Sequence, residues 1–106
     1  MKGYAQEIAN HVKTDNSVIE VAPGPGYFAI ELAKLGKYKI TGIDISQDFV
    51  EIARGNAKDA GVDVEFQRGN VSEMPFQDNM FDFIFCSAAF KNFKDPSKAL
   101  DEMYRV

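Results

Sequence analysis

Cysteine and histidine are nearly absent from this chain, which has one of each among its 106 residues. Cys86 lies in the apolar run FDFIFCSA, so no disulfide can form within the chain and we expect an inert thiol in the core. His11 has no partner pattern and is expected at the surface of a short first helix. The sequence therefore predicts no metal site, and no side chain is identified as catalytic.

Long apolar runs and an excess of positive charge are also missing. No stretch approaches the roughly 20 apolar residues that a membrane-spanning helix needs, and the amino end lacks the pattern of a secretory signal. The net charge of -4 gives no attraction for nucleic acid, and the cluster Lys34, Lys37 and Lys39 lacks interleaved aromatic residues. We therefore expect a cytoplasmic protein with neither a membrane nor a nucleic acid as a partner.

The spacing of apolar residues predicts strands that alternate with helices. Strands are expected at 17–21, 39–44, 62–67 and 81–86, the third at a sheet edge and the fourth, nearly all apolar, in the interior. The inner helix faces are expected at Phe28, Leu32 and Leu35, at Phe49, Ala53, Ala57 and Ala60, and at Leu100, Met103 and Tyr104. This alternation is typical of an α/β fold with a parallel sheet and helices on both faces. Because the last helical pattern still runs at the final residue, we expect residues 1–106 to form a single, partial domain.

A glycine-rich turn, in the segment VIEVAPGPGYFA, links the first strand to the next helix. Small residues at Ala22, Gly24 and Gly26 let a ligand approach the backbone closely. Pro23 and Pro25 are expected to hold the residues before them in extended geometry, and Pro25-Gly26 suits the centre of a type II turn. The sequence thus predicts a stiff, pre-formed turn.

Two acidic residues flank this turn. Asp44 follows Gly26 by eighteen residues, at the expected end of the second strand, where a carboxylate can accept hydrogen bonds from ribose hydroxyls. Gly24-x-Gly26-x-x-Ala29 also fits a dinucleotide fingerprint and so an NAD-type oxidoreductase. Glu20, however, places a carboxylate where a pyrophosphate would lie. A ligand with a cationic end and no phosphate, such as S-adenosylmethionine, therefore fits this pattern better.

Four segments in order extend this pattern over nearly the whole chain from Ser17 onward: VIEVAPGPGYFAIELAK, TGIDIS, RGNVSEMPF and FDFIFCSAAFKNFKDPSKALDEMYRV. In these segments the chain resembles the class I S-adenosylmethionine-dependent methyltransferases, specifically the small-molecule and quinone-type group. The resemblance implies a Rossmann-like three-layer sandwich with a mostly parallel sheet of about four strands in the order 3-2-1-4. It also implies that the domain is incomplete here.

The resemblance further implies a set of cofactor-binding residues: Glu20, Ala22, Gly24, Gly26, Asp44, Ile45, Asn70, Val71 and Ser87. The backbone of 22–26 would line the methionyl and ribose groups, with Glu20 supporting the amino end. Asp44 would bind the ribose hydroxyls, and Ile45 would pack on the adenine.

The later motifs would contact the rest of the cofactor. The resemblance implies that Asn70 faces the adenine amino group and that the Val71 amide meets the ring. It also implies that the region of Ser87 closes the methionyl side of the site.

The chain departs from the family pattern at several positions. Glu20 stands where Asp is usual, and Ala22 replaces a glycine, which requires that Ala22 keep a negative φ. Asn70 replaces a common Asp, and Lys91-Asn92 stand where many members carry a histidine pair.

The function implied is methyl transfer by direct displacement to a small-molecule acceptor, without a metal. We expect the chain alone to bind cofactor weakly and to be inactive, and its fourth strand to self-associate through an exposed edge. A non-catalytic adenosine-ligand module and the NAD-type oxidoreductase stay open as alternatives.

Overall fold

The structure is a computed structural model that describes residues 16–36, 38–86, 93 and 95–106. The first helix with His11, Ser87 and the pair Lys91-Asn92, for which expectations are given above, lie outside the described residues.

In the described part of the chain, strands and helices alternate as expected. The elements are β1 (Ser17–Val21), α1 (Tyr27–Lys34), β2 (Lys39–Asp44), α2 (Gln47–Ala60), β3 (Glu65–Arg68), β4 (Phe83–Cys86) and α3 (Pro96–Arg105). The strands form one sheet in the order β3-β2-β1-β4, and all three neighbouring pairs are parallel. This confirms the predicted Rossmann-like fold and its strand order.

Two apolar clusters cover opposite faces of the sheet. In the first, Val18 of β1 and Ile40 of β2 pack with buried residues of α1 and α2. In the second, Ile19 and Val21 pack with α3 and with the segment that follows β3. Because successive side chains of a strand point to opposite faces, β1 contributes to both clusters and lies at the centre of the three layers.

The helix ends follow the sequence signals. Ser46 caps α2 by accepting a hydrogen bond from the Phe49 amide at 3.2 Å, and Gly61 ends it with a φ of 70°. Asp95 caps α3 in the same way, with Pro96 in the first turn.

Two predicted helix faces are partly wrong. In α2, Ala53 and Ala57 are buried as expected, but Val50 takes the place of Phe49, which is 44% exposed, and Ala60 is exposed. In α3 the buried residues are Ala99 and Met103, followed by Val106, whereas Leu100 is exposed and Tyr104 is 83% exposed. The spacing of apolar residues fits two neighbouring helix faces that differ by one residue. Contacts with the sheet and with the segment after β3 decide which of these two faces is buried.

Two predicted strands also differ from the structure. β3 begins only at Glu65, and Val62 and Val64 pack against the α1–α2 cluster before the strand starts. β4 begins at Phe83, because the amide of Phe81 donates to the carbonyl of Val106 instead. Among the described residues β4 lies at the edge of the sheet with all four residues half-buried, in agreement with the exposed edge expected for it in this chain. Leu35, expected in the α1 face, is an exposed C-cap residue.

Candidate cofactor site at the carboxyl edge of the sheet

The glycine-rich turn runs from the end of β1 to the start of α1 and is tied down by its own amides. The amide of Ala22 donates to Ile43 O at 2.8 Å, and that of Gly24 donates to Asp44 Oδ2 at 3.0 Å. The Gly26 amide donates to Pro23 O at 3.1 Å. The turn is therefore joined to the end of β2.

The backbone of this turn differs from the prediction. Ala22 has a φ of 55° and Gly24 a φ of 58°, so neither is extended, and the hydrogen-bonded turn has Gly24 and Pro25 at its centre rather than Pro25 and Gly26. A positive φ costs an alanine roughly 1–2 kcal/mol. The hydrogen bond from the Ala22 amide to β2 holds Ala22 in this conformation. Because glycine adopts a positive φ without strain, the family's usual glycine suits this position.

These hydrogen bonds limit what the turn can offer a ligand. The three amides of residues 22–26 all donate within the protein, and the two prolines have none to donate. The helix α1 follows directly, and its N-cap residue, Gly26, provides no side-chain cap. An anionic group can thus be met by amides of the first turn of α1 but not by those of the turn itself.

The two glycines of the turn have different surroundings. A Cβ on Gly26, where φ is 84°, would lie 2.7 Å from Phe66 Cζ and 3.0 Å from Ala53 Cβ. A Cβ on Gly24 would meet nothing within 4 Å. Gly26 is thus packed against the protein, whereas Gly24 borders open space in which a ligand could lie.

Asp44 is the centre of the site. Its side chain is buried; Oδ2 accepts from the Gly24 amide and Oδ1 from the Ser46 amide, each at 3.0 Å. Its carbonyl accepts from the Gly69 amide at 2.9 Å. A carboxylate held by two amides keeps further lone pairs for hydroxyl donors, so Asp44 can both fix the turn and bind a ribose.

Glu20 is only 1% exposed and lies within β1, between Gly42 of β2 and Phe85 of β4. By strand alternation it is on the same face of the sheet as Val18, the face covered by α1 and α2. The carboxylate of Glu20 is therefore enclosed between the sheet and the helices and has almost no exposed surface.

The remaining predicted residues follow the ends of β2 and β3. Ile45 is 64% exposed, and its carbonyl accepts from Arg68 Nε at 3.1 Å. Asn70 is exposed, and its Oδ1 accepts from the Ser72 amide at 2.9 Å, which makes it a turn residue as well as a candidate ligand. Val71 points its side chain into the second cluster.

Two residues that shape the turn were not predicted from the sequence. Asn56, in the middle of α2, donates from Nδ2 to Pro25 O at 2.9 Å. Phe66 of β3 fills the space beside both Gly26 and Gly42. An amide side chain in the middle of a helix was the one available signal for Asn56, since such residues favour caps and turns.

The described residues contain neither a cluster suited to a metal ion nor a membrane-spanning helix. Across residues 16–36, 38–86, 93 and 95–106, no three or more His, Cys, Asp or Glu side chains are arranged to hold a metal ion. None of the helices in these ranges is long and apolar enough to cross a membrane.

The parallel sheet in the order β3-β2-β1-β4, with helices on both faces, defines a Rossmann-like fold. Residues 19–106 match the methyltransferase domain family. The chain belongs to this family, in its class I group.

Individual relatives agree with this assignment. The chain is 38% identical over 95 residues to the ubiquinone/menaquinone biosynthesis C-methyltransferase of Bdellovibrio bacteriovorus, covering 89% of this chain and 40% of that protein. It is 36% identical over 90 residues to the demethylmenaquinone methyltransferase of Deinococcus radiodurans, covering 84% and 37%. The crystal structure described as a putative S-adenosylmethionine-dependent methyltransferase of Methanococcus maripaludis superimposes with a TM-score of 0.91 at 31% identity, over 98% of this chain and 49% of that one. The chain thus spans about 40% of the length of these curated relatives.

Proposed function

We propose that the protein carrying this chain is a cytoplasmic methyltransferase that moves a methyl group from S-adenosylmethionine to a small-molecule acceptor. The observation that supports this most strongly is the glycine-rich turn, which borders open space at Gly24 beside a carboxylate suited to a ribose. Because the relatives from Bdellovibrio and Deinococcus are named as quinone methyltransferases, a demethylated quinone is the first acceptor to test. The comparisons give no support to the oxidoreductase or to a non-catalytic module.

The residues present fit this cofactor. Open space beside Gly24 would take the methionyl and ribose groups, and Asp44 would accept the ribose hydroxyls. Exposed Ile45 would offer an apolar surface for adenine, and Asn70 and the Val71 amide would meet the polar edge of the base. Ser87, proposed for the methionyl side, follows the last residue of β4.

Glu20 would act on the cationic end of the cofactor. Buried in β1 two residues before Ala22, Glu20 would in its ionised form favour the ammonium through its charge. Such an interaction is screened less than one in open water.

The chemistry makes few demands on side chains. When bound, the cofactor supplies an electrophilic methyl on a sulfonium: the carbon–sulfur bond breaks as the bond to the acceptor forms, and S-adenosylhomocysteine leaves. The chain contributes by fixing the cofactor in a pre-formed turn, which lowers the entropic cost of aligning methyl and acceptor, and by limiting access of water. We assign no general base to the described residues.

A binding comparison tests the cofactor assignment. By calorimetry, we expect the protein carrying this chain to bind S-adenosylhomocysteine at micromolar levels or better, about -8 kcal/mol, and not to bind NADH. Saturable NADH binding without a response to S-adenosylhomocysteine would instead favour the oxidoreductase. Methyl transfer to a demethylated quinone, followed by mass spectrometry, separates an enzyme from a non-catalytic module.

We also propose that the outer edge of β4 in this chain pairs with a second copy. Within the described residues β4 pairs only with β1, and its residues are half-buried and mainly apolar, which favours strand addition. In sedimentation experiments we expect the 106-residue chain to form dimers. Phe83→Lys should abolish them by placing a charge at this edge, while Leu100→Lys, on the exposed side of α3, should not. A monomer at all concentrations contradicts the proposal.

A further inference from the structure

The connection from β3 to β4, residues 69–82, carries Asn70 and Val71 but contains no helix or strand of its own. We name it the connector. A connection of this length needs outside support to keep one conformation, because ordering its backbone costs about 1–2 kcal/mol per residue. Its supports therefore decide where the adenine end of the proposed site lies.

Arg105, at the end of α3, is the main support. Its Nη2 donates to Met74 O at 2.9 Å, and its Nη1 donates to Phe76 O at 2.6 Å and to Asp78 Oδ1 at 2.9 Å. Its Nε donates to Glu102 Oε2 at 2.6 Å, and Nη2 to Glu102 Oε1 at 3.0 Å. The guanidinium of Arg105 thus binds two carbonyls and one carboxylate of the connector, and it also binds the carboxylate of Glu102 in its own helix.

Glu102 completes this arrangement from the same helix. Its Oε1 accepts from the Met74 amide at 2.7 Å, so α3 holds both the amide and the carbonyl of Met74. The Arg105 hydrogen bond lowers the pKa of Glu102, and Glu102 and then Asp78 raise the pKa of Arg105. Both groups are therefore charged at neutral pH.

The end of α3 also holds the connector through its backbone. The amide of Asn79 donates to Arg105 O at 2.7 Å, and the amide of Phe81 donates to Val106 O at 2.8 Å. At the other end of the helix, Ser72 Oγ donates to Asp95 O at 3.2 Å. Helix α3 is thus a rigid frame along which the connector lies.

The held residues lie directly beside the predicted adenine contacts. Met74 and Val71 share the second buried cluster, and the turn before Met74 is closed by the Glu73 amide, which donates to Asn70 O at 3.0 Å. A shift of Met74 would therefore strain the turn that carries Asn70. None of the atoms of Arg105 described above contacts the proposed site itself.

We propose that Arg105, together with Glu102, is a positioning residue that sets how the cofactor site discriminates the adenine base. This inference rests on the proposed function, because it assumes that Asn70 and Val71 meet the adenine. A lysine at this position could not replace the arginine, since a single ammonium cannot span the same set of acceptors.

The test measures base discrimination rather than affinity alone. Arg105→Gln, Arg105→Lys and the unchanged protein carrying this chain are each titrated with S-adenosylhomocysteine and with its inosine analogue, in which oxygen replaces the 6-amino group. We expect the unchanged protein to bind the adenine form more tightly than the inosine form. In both variants the ratio of the two dissociation constants should fall about tenfold, which corresponds to the loss of about one hydrogen bond. Arg54→Gln is the matched control, because Arg54 donates in the same way to a backbone carbonyl, Phe66 O at 3.0 Å, away from the connector.

The outcomes separate this inference from the proposed function. A folded Arg105→Gln protein with an unchanged preference overturns the inference, and so does full rescue by Arg105→Lys. If Arg105→Gln does not fold, Glu102→Gln replaces it, and the same loss or retention of preference decides. If the unchanged protein does not bind S-adenosylhomocysteine, the proposed function fails; hydrogen exchange at residues 70–74 then decides, because faster exchange in the variant supports positioning and equal exchange contradicts it.

Discussion

Gly26→Ala is expected to lower the free energy of unfolding by about 2–4 kcal/mol, from the strain of a positive φ and from overpacking. The new Cβ would lie 2.7 Å from Phe66 Cζ, and the Phe66 side chain is buried and also fills the space beside Gly42, so it cannot simply move aside. Urea unfolding followed by circular dichroism measures the change.

Gly24→Ala is the matched control for this variant. It introduces the same methyl group at a similar positive φ, but into open space, so we expect a loss of only about 1 kcal/mol of stability. Its methyl group would occupy the space that we propose for the cofactor, so S-adenosylhomocysteine affinity should fall by about tenfold or more. Equal loss of stability in the two variants would contradict the packing described for Gly26.

Asp44→Asn is expected to weaken S-adenosylhomocysteine binding by about 100-fold, because hydrogen bonds to a charged group contribute about 1.5–3 kcal/mol each. The asparagine also presents an NH2 group where Oδ1 or Oδ2 now accepts from the amides of Ser46 and Gly24. One of these amides loses its acceptor, which should cost about 1–3 kcal/mol of stability. Calorimetry and urea unfolding measure the two effects separately.

Asp48→Asn provides the control for Asp44. Asp48 is exposed in the first turn of α2, and its removal should cost only about 0.3–1 kcal/mol through the helix dipole, without an effect on binding. If Asp44→Asn binds the ligand as well as Asp48→Asn does, then Asp44 is a structural residue of the turn and not a ribose ligand.

The order of elements could be read from the sequence because local signals agree along the chain. β1 and β2 have the predicted bounds, and the caps at Ser46 and Asp95 begin their helices as expected. The strand order that the family resemblance implied is also that of the structure, although no local signal specifies it. Capping and alternation are short-range effects, so neighbouring residues are sufficient to specify them.

The choice between adjacent helix faces could not be read in the same way. Val50 rather than Phe49 is buried in α2, and Val106 rather than Tyr104 is buried at the end of α3. Either residue keeps a helical spacing with its neighbours, and the difference depends on which one meets the sheet or the connector.

The sequence by itself determined the parallel α/β order, the glycine-rich turn and the two carboxylates that flank it, because each is encoded by residues close together in the chain. Only the tertiary structure decided that Ala22 has a positive φ, that Asp44 Oδ2 accepts from the Gly24 amide of the turn, and that Arg105 holds the connector. These features join segments some twenty to thirty residues apart, and their geometry follows from how the sheet and α3 bring those segments together.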